Sequence, residues 1–179
     1  MKWMVCMRLL WRNYFRMNNN KTVQRHTMKD NKIIILKAYI SDIEPVANLF
    51  DAYREFYGKS KDIALSIQFI NDRMNSNESS ILLAKIKGEY VGFTQLYPFF
   101  SSVRATRLMV LNDLFVYPEY RGKGVAKRLI ESAVELAKSE GCGGLILETT
   151  EDNIHAQSLY EKLGWAEESG IKHYSFDLN

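Results

Sequence analysis

A chain of 179 residues fits one domain, and its composition of 46% hydrophobic and 25% charged residues with three prolines is that of a soluble globular protein, not a disordered or fibrous one. The net charge of +3 is unevenly placed: residues 1–30 carry seven Lys/Arg against one Asp, whereas residues 31–179 carry 17 Lys/Arg against 20 Asp/Glu. A slightly acidic folded part argues against a nucleic-acid surface, and two cysteines, Cys6 and Cys142, exclude a disulfide framework or a cysteine-rich metal site, so a reducing cytoplasm is the expected setting.

The first 30 residues form a basic extension in which Trp3, Met7, Leu10 and Tyr14 share one helical face and Arg8, Arg12 and Arg16 another. An Arg-rich leader of this kind suits an organelle transit peptide or a membrane-surface helix. The blander expectation is a disordered or non-native start, with translation beginning at Met17 or Met28. No run approaches the roughly 18 apolar residues of a membrane span, so no membrane partner is expected.

The domain proper is expected over residues 31–179. Ile33-Ile34-Ile35-Leu36 is a β-branched run of strand length. Ser41 with Glu44 three residues on reads as a capping box opening a helix through Val46, Leu49, Phe50 and Tyr53. Gly58-Lys59-Ser60 breaks it. A second helix starts near Asp62, with Ile63, Ile67, Phe69 and Ile70 as its buried positions.

Strands over 80–86 and 90–97, joined by Lys87-Gly88-Glu89, read as a hairpin, and a third over 105–116 extends the meander. Residues 123–139 repeat with helical period through Ala126, Leu129, Ile130, Ala133, Leu136 and Ala137. A strand over 145–149, a helix over 154–163 stopped by Gly164, and a last strand over 172–178 complete the chain, with room for a further short strand around Trp165. Helices interspersed with a meander imply a single α/β layer structure with a mixed sheet.

The stretch from Leu111 to Ala126 places a strand, a tight turn and a helix start in series. Free N–H groups at a helix N-terminus converge on one point where the dipole adds about half a positive charge, which suits a pyrophosphate. Gly122 and Gly124 let oxygens approach, Ala126 is nearly as small, and Arg121, Lys123 and Lys127 supply positive charge around Val125. A P-loop would need a different spacing ending in Lys-Ser/Thr, and a dinucleotide fingerprint a small residue where Lys127 stands. A solvated basic turn at a helix start remains the alternative for the hexapeptide taken alone.

Arg121-x-x-Gly124-x-Ala126 after a strand resembles the acyl-CoA pyrophosphate loop of the GNAT superfamily. The segment Asn153 to Trp165 is similar to that family's Asn-x-x-Ala-x-x-Leu-Tyr-x-x-x-Gly-Phe element, in Asn153, Ala156, Leu159, Tyr160 and Gly164. The resemblance covers residues 33–178 and implies a mixed sheet of six or seven strands, helices on both faces, and splayed central parallel strands. It implies acetyl-CoA as co-substrate, with Arg121–Lys127 on the pyrophosphate, Leu114, Phe115 and Val116 on the pantetheine arm, and Asn153 on the arm from the opposite side. Tyr160 would face the sulfur and protonate the leaving thiolate, as a phenol of pKa about 10 can.

The attacking amine must first lose a proton, and Asp113 is the nearest candidate base. Where related polyamine acetyltransferases carry a glutamate, this chain has Asn112, which accepts no proton; Glu148, a water chain or binding of the minor neutral amine are the other choices, and a structural hydrogen-bonding role is the alternative for Asp113 itself. Tyr53, Tyr57 and Tyr97 around a slot with Glu55 or Asp113 nearby, and Asn112 beside Asp113, would accept an ammonium group on their aromatic faces. Tyr-x-x-Phe-Tyr at 53–57 and Leu-Asn-Asp-Leu-Phe-Val at 111–116 look like the branch of small histone, polyamine and amino-acid acetyltransferases. The expected activity is thus direct acetyl transfer to a small-molecule or peptide amine, by a homodimer if it follows the family. The other reading is a non-catalytic acyl-CoA-binding module, which Asn112 favours. His26, His155 and His173 are scattered and Cys142 ends a helix, so neither a metal site nor a nucleophile is expected.

Overall fold

The computed structural model describes residues 32–178. The basic extension expected over residues 1–30 lies outside the described residues. Five strands form one sheet in chain order: β1 (Ile34–Lys37), β2 (Ser80–Ile86), β3 (Glu89–Ser101), β4 (Thr106–Val116) and β5 (Leu145–Ile146). The first three pairings are antiparallel and β4 with β5 is parallel. Antiparallel neighbours need only short turns, while the parallel step needs a crossover, here a helix.

Four helices cover the sheet: α1 (Ile43–Phe56), α2 (Ile63–Asn75), α3 (Val125–Ser139) and α4 (Ile154–Lys162). Because successive strand residues face opposite sides, β2 sends Ile81 and Leu83 to a core with Val46, Leu49 and Ile70 of α1 and α2. It sends Leu82 and Ala84 to a second core with Leu129, Ile130 and Ala133 of α3. Both faces are therefore apolar along β2, as its unbroken run Ile81–Ala84 requires. Phe93 is fully buried in the first core, a burial that contributes about 2–3 kcal/mol.

Four expectations from sequence need correction. The sheet has five strands, not six or seven. The strand expected over 145–149 is two residues long, and those expected over 172–178 and around Trp165 do not form. The 172–178 segment has strand-like alternation, but a strand needs a ladder. His173 Nδ1 lies 3.3 Å from Glu148 Oε1, past the end of β5, and the segment carries no backbone pairing, so Tyr174, Phe176 and Leu178 are exposed.

The helix start also differs. A 3₁₀ turn over Ile40–Asp42 leads into α1, and Asp42, not Ser41, closes it: the Tyr39 N–H donates to Asp42 Oδ2 at 2.9 Å. In α2, Ile67 is exposed, and the small Ser66 takes the buried place instead. Among the described residues no helix is long and apolar enough to cross a membrane.

Candidate active site

The site is built on β4. Its ladder with β3 runs regularly from Gly92 opposite Val116 to Gln95 opposite Asp113, then slips so that Leu96 faces Leu111. Asn112 is the extra residue, a β-bulge that switches which face the flanking side chains take. Asp113 lies on the side of α1 and α2, in line with Phe115, while Leu111 packs into the core under α3. Gly92 permits this close pairing: a Cβ there would meet the Phe115 carbonyl at 2.6 Å.

On its other edge β4 pairs with β5 only at Met109 with Leu145 and Val110 with Ile146. Past the bulge the two parallel strands part. Leu114, Phe115 and Val116 thus lie along the stretch of β4 that β5 does not pair, where an extended ligand can use backbone groups.

Beyond β4 and a 3₁₀ turn over Pro118–Tyr120, Gly122 and Gly124 take φ of 70° and 84°, and Gly124 is the N-cap of α3. The left-handed conformation at both glycines turns the chain sharply into the helix, and the N–H groups of Val125, Ala126 and Lys127 head the helix without intrahelical acceptors. These residues fit a pyrophosphate. The basic side chains are engaged elsewhere: Arg121 Nε donates to the Val116 carbonyl at 2.9 Å, with its guanidinium 5.0 Å from the Phe56 ring. Lys123 Nζ donates to the Glu119 carbonyl at 2.7 Å, and Lys127 pairs with Glu131 at 3.7 Å.

Asn153 caps α4, its side chain accepting from the Ala156 N–H and donating to Thr149 Oγ1 at 3.1 Å. It follows β5 by seven residues, at the start of the helix that carries Tyr160. Tyr160, one helix turn and more along α4, is half-buried and packs with Trp165 at 6.1 Å between ring centroids. Burial, and then the nearby Tyr57, push its pKa up, so its hydroxyl keeps its proton.

Between α1, α2 and the β3–β4 pair lies a cavity of about 350 Å³ lined by Tyr53, Tyr57, Tyr97, Asn112 and Asp113 together with Phe50, Phe69, Arg54 and Lys59. All five residues expected to bind the acceptor meet there. Asp113 is 5% exposed. Burial raises its carboxyl pKa above the ordinary value, while hydrogen bonds from Asn112 and Tyr53 pull it back. Tyr53 is pushed up by burial and then by the Asp113 charge, and Tyr97 is raised to about 12 for the same two reasons. Both phenols therefore stay protonated and can donate.

The other candidate base, Glu148, is exposed and turned to His173. Arg54 and Lys59 were missed in sequence: Arg54 lies inside the aromatic segment 53–57 and Lys59 in the break after α1, read there only as punctuation. Among the described residues no group of three or more His, Cys, Asp or Glu converges.

A family model described as Acetyltransferase (GNAT) family matches residues 46–165, which include the whole β4 bulge, the glycine loop and Tyr160. The uncharacterized N-acetyltransferase YhfO of Bacillus subtilis (strain 168) is 44% identical over 144 residues, covering 80% of this chain and 97% of that protein. A solved structure described as a probable acetyltransferase is 34% identical, covers 82% of this chain and 98% of that one, and superposes with a TM-score of 0.76. An aminoglycoside N-acetyltransferase solved in complex with CoA shares the fold at 20% identity, with a TM-score of 0.69 over 84% of this chain and 99% of that one.

Proposed function

The chain belongs to the acetyltransferase (GNAT) family and is an acetyltransferase, and from that premise we propose that it moves the acetyl group of acetyl-CoA directly to a primary amine bound in the Asp113 cavity. The observation that carries this reading is the cavity itself. Its one buried carboxylate, Asp113, is surrounded by phenols, and Tyr57 on its rim stands near enough to Tyr160 to shift that hydroxyl's pKa. An acceptor site and a leaving-group donor thus adjoin.

Acetyl-CoA supplies an activated acyl group as a thioester. The loop Arg121–Lys127 would hold its pyrophosphate, Leu114–Val116 and Asn153 its pantetheine arm. Asp113 takes a proton from the substrate ammonium, and the freed nitrogen pair bonds to the thioester carbonyl carbon. As the carbon–sulfur bond breaks, Tyr160 gives its proton to sulfur and is restored by the second proton leaving nitrogen. Positioning both reactants at one junction removes much of the entropic barrier, and the raised pKa of Asp113 brings it closer to the operating range of a general base.

A second reading, a non-catalytic acyl-CoA-binding module, is favoured by Asn112, which cannot take a proton. Coenzyme A release measured over a panel of amines separates the two. Turnover with any amine supports the enzyme; thermal stabilisation by acetyl-CoA without turnover supports the module.

A further inference from the structure

The acceptor cavity carries charges of both signs on different elements, Asp113 on β4 and Arg54 and Lys59 on α1 and the break after it. Asp113 is its one carboxylate, and Arg54 and Lys59 also line it. Arg54 belongs to the wall: its Nη1 lies 3.4 Å from Asp51 Oδ1 and 3.4 Å from Ser66 Oγ, and Asp51 is 2% exposed. Asp51 Oδ1 also accepts from the Asp62 N–H and from Ser66 Oγ. That carboxylate is therefore spent inside the protein and offers nothing to a ligand. Lys59 differs. It is exposed in the break after α1, and among the described residues no carboxylate lies within ion-pair distance of its Nζ. Of the charges just outside the cavity, Arg73 is paired with Glu78, and Glu55 on α1 is exposed and not part of the lining.

A ligand filling this space meets an anion on β4, the protonated phenols of Tyr53 and Tyr97, and a lysine and a fixed arginine on α1 and the break after it. We propose that the amine acceptor is a small zwitterion, an amino acid or ω-amino acid whose ammonium lies at Asp113 and whose carboxylate is received by Lys59 with Arg54. A diamine or polyamine would place its second cation against Lys59 and Arg54 with no second carboxylate to meet it. The volume, about 350 Å³, lies near the lower end for small-molecule pockets and suits a metabolite-sized acceptor. This inference rests on the acetyl-transfer reading above and narrows its substrate.

The test offers amines with and without their carboxylate: lysine against cadaverine, ornithine against putrescine, 4-aminobutyrate against propylamine. Wild-type kcat/KM should favour the carboxylated member by about two- to fivefold. Lys59→Glu should reverse that preference through KM, with kcat and the KM for acetyl-CoA little changed. Equal use of both members, preference for the diamines, or a preference that Lys59→Glu does not alter would overturn the zwitterion while leaving acetyl transfer standing. If no amine is turned over, calorimetric titration of the same pairs into the CoA-loaded protein decides. Tighter binding of the carboxylated members, lost in Lys59→Glu, supports the zwitterion site without catalysis; no such difference refutes it.

Discussion

Asn112 Nδ2 donates to Oδ2 of the residue that follows it, Asp113, at 3.1 Å. Neighbours in a regular strand point to opposite faces and do not meet this way. The bulge at Asn112 re-aims the pair, so that the one exposed residue of β4 bonds to a carboxyl that is 5% exposed. Asn112 accepts no proton, but it stabilises the charged form of Asp113, the proposed base.

Asn112→Ala should therefore weaken the enzyme through the pKa of Asp113. The Asn112 hydrogen bond opposes the upward push of burial, so its loss moves the carboxyl pKa further up. The acid limb of kcat/KM should shift to higher pH, with activity at a fixed pH on that limb falling by about three- to tenfold. A profile that keeps its limb in place would show that the bond orients nothing of catalytic consequence.

Asp113→Asn should separate function from stability. As a base Asp113 must be ionised, so activity is lost as pH falls through its raised pKa; the variant should lose that limb and about 10²-fold or more in kcat. Stability runs the other way. With its folded pKa above the unfolded one, Asp113 binds its proton more tightly when folded, so stability falls as pH rises between those two values. Above both values the buried charge carries its full penalty, and there the neutral asparagine should be more stable by about 1 kcal/mol, measured by denaturant unfolding. A variant less stable than wild type at every pH would contradict this account.

The fold and the glycine turn ahead of α3 were largely legible because they rest on local signals. The run Ser80–Ile86, the helical period from Ala126 to Ala137, and glycines ahead of a helix each carry their own physics. The bulge was not legible, since Leu111, Leu114, Phe115 and Val116 are apolar on both sides of the polar pair and conceal the change of face. The 172–178 strand failed for the complementary reason: its alternation was local, but a strand depends on a partner that β5 does not provide. Lys59 escaped notice because a loop lysine gains meaning only when α1 brings it into the lining of the cavity that Asp113 also lines.

Gly92→Ala should cost about 2–4 kcal/mol, read by denaturant unfolding. Its added Cβ meets the Phe115 carbonyl at 2.6 Å and Val116 Cγ2 at 3.1 Å, and the carbonyl belongs to paired backbone that cannot turn aside. Moving β4 would widen the ladder beside Leu114–Val116, so the KM for acetyl-CoA should rise as well. A loss below 0.5 kcal/mol, on the order of an ordinary surface substitution, would mean that the two strands have slack.

Tyr160→Phe tests the leaving-group end. The ring packs against Trp165 and the core under α3, and phenylalanine keeps that packing, so stability should change by about 1 kcal/mol or less. What is lost is one hydroxyl held protonated by burial beside Tyr57. If that hydroxyl donates to sulfur only as the carbon–sulfur bond breaks, its removal lowers kcat without raising either KM, by about 10²-fold. Tyr57→Phe is the control: Tyr57 lines the acceptor cavity, so its loss should appear in the KM for the amine. Should Tyr160→Phe keep its turnover, the thiolate must be protonated from solvent through the gap between β4 and β5, and Tyr160 would be a packing residue at the end of α4.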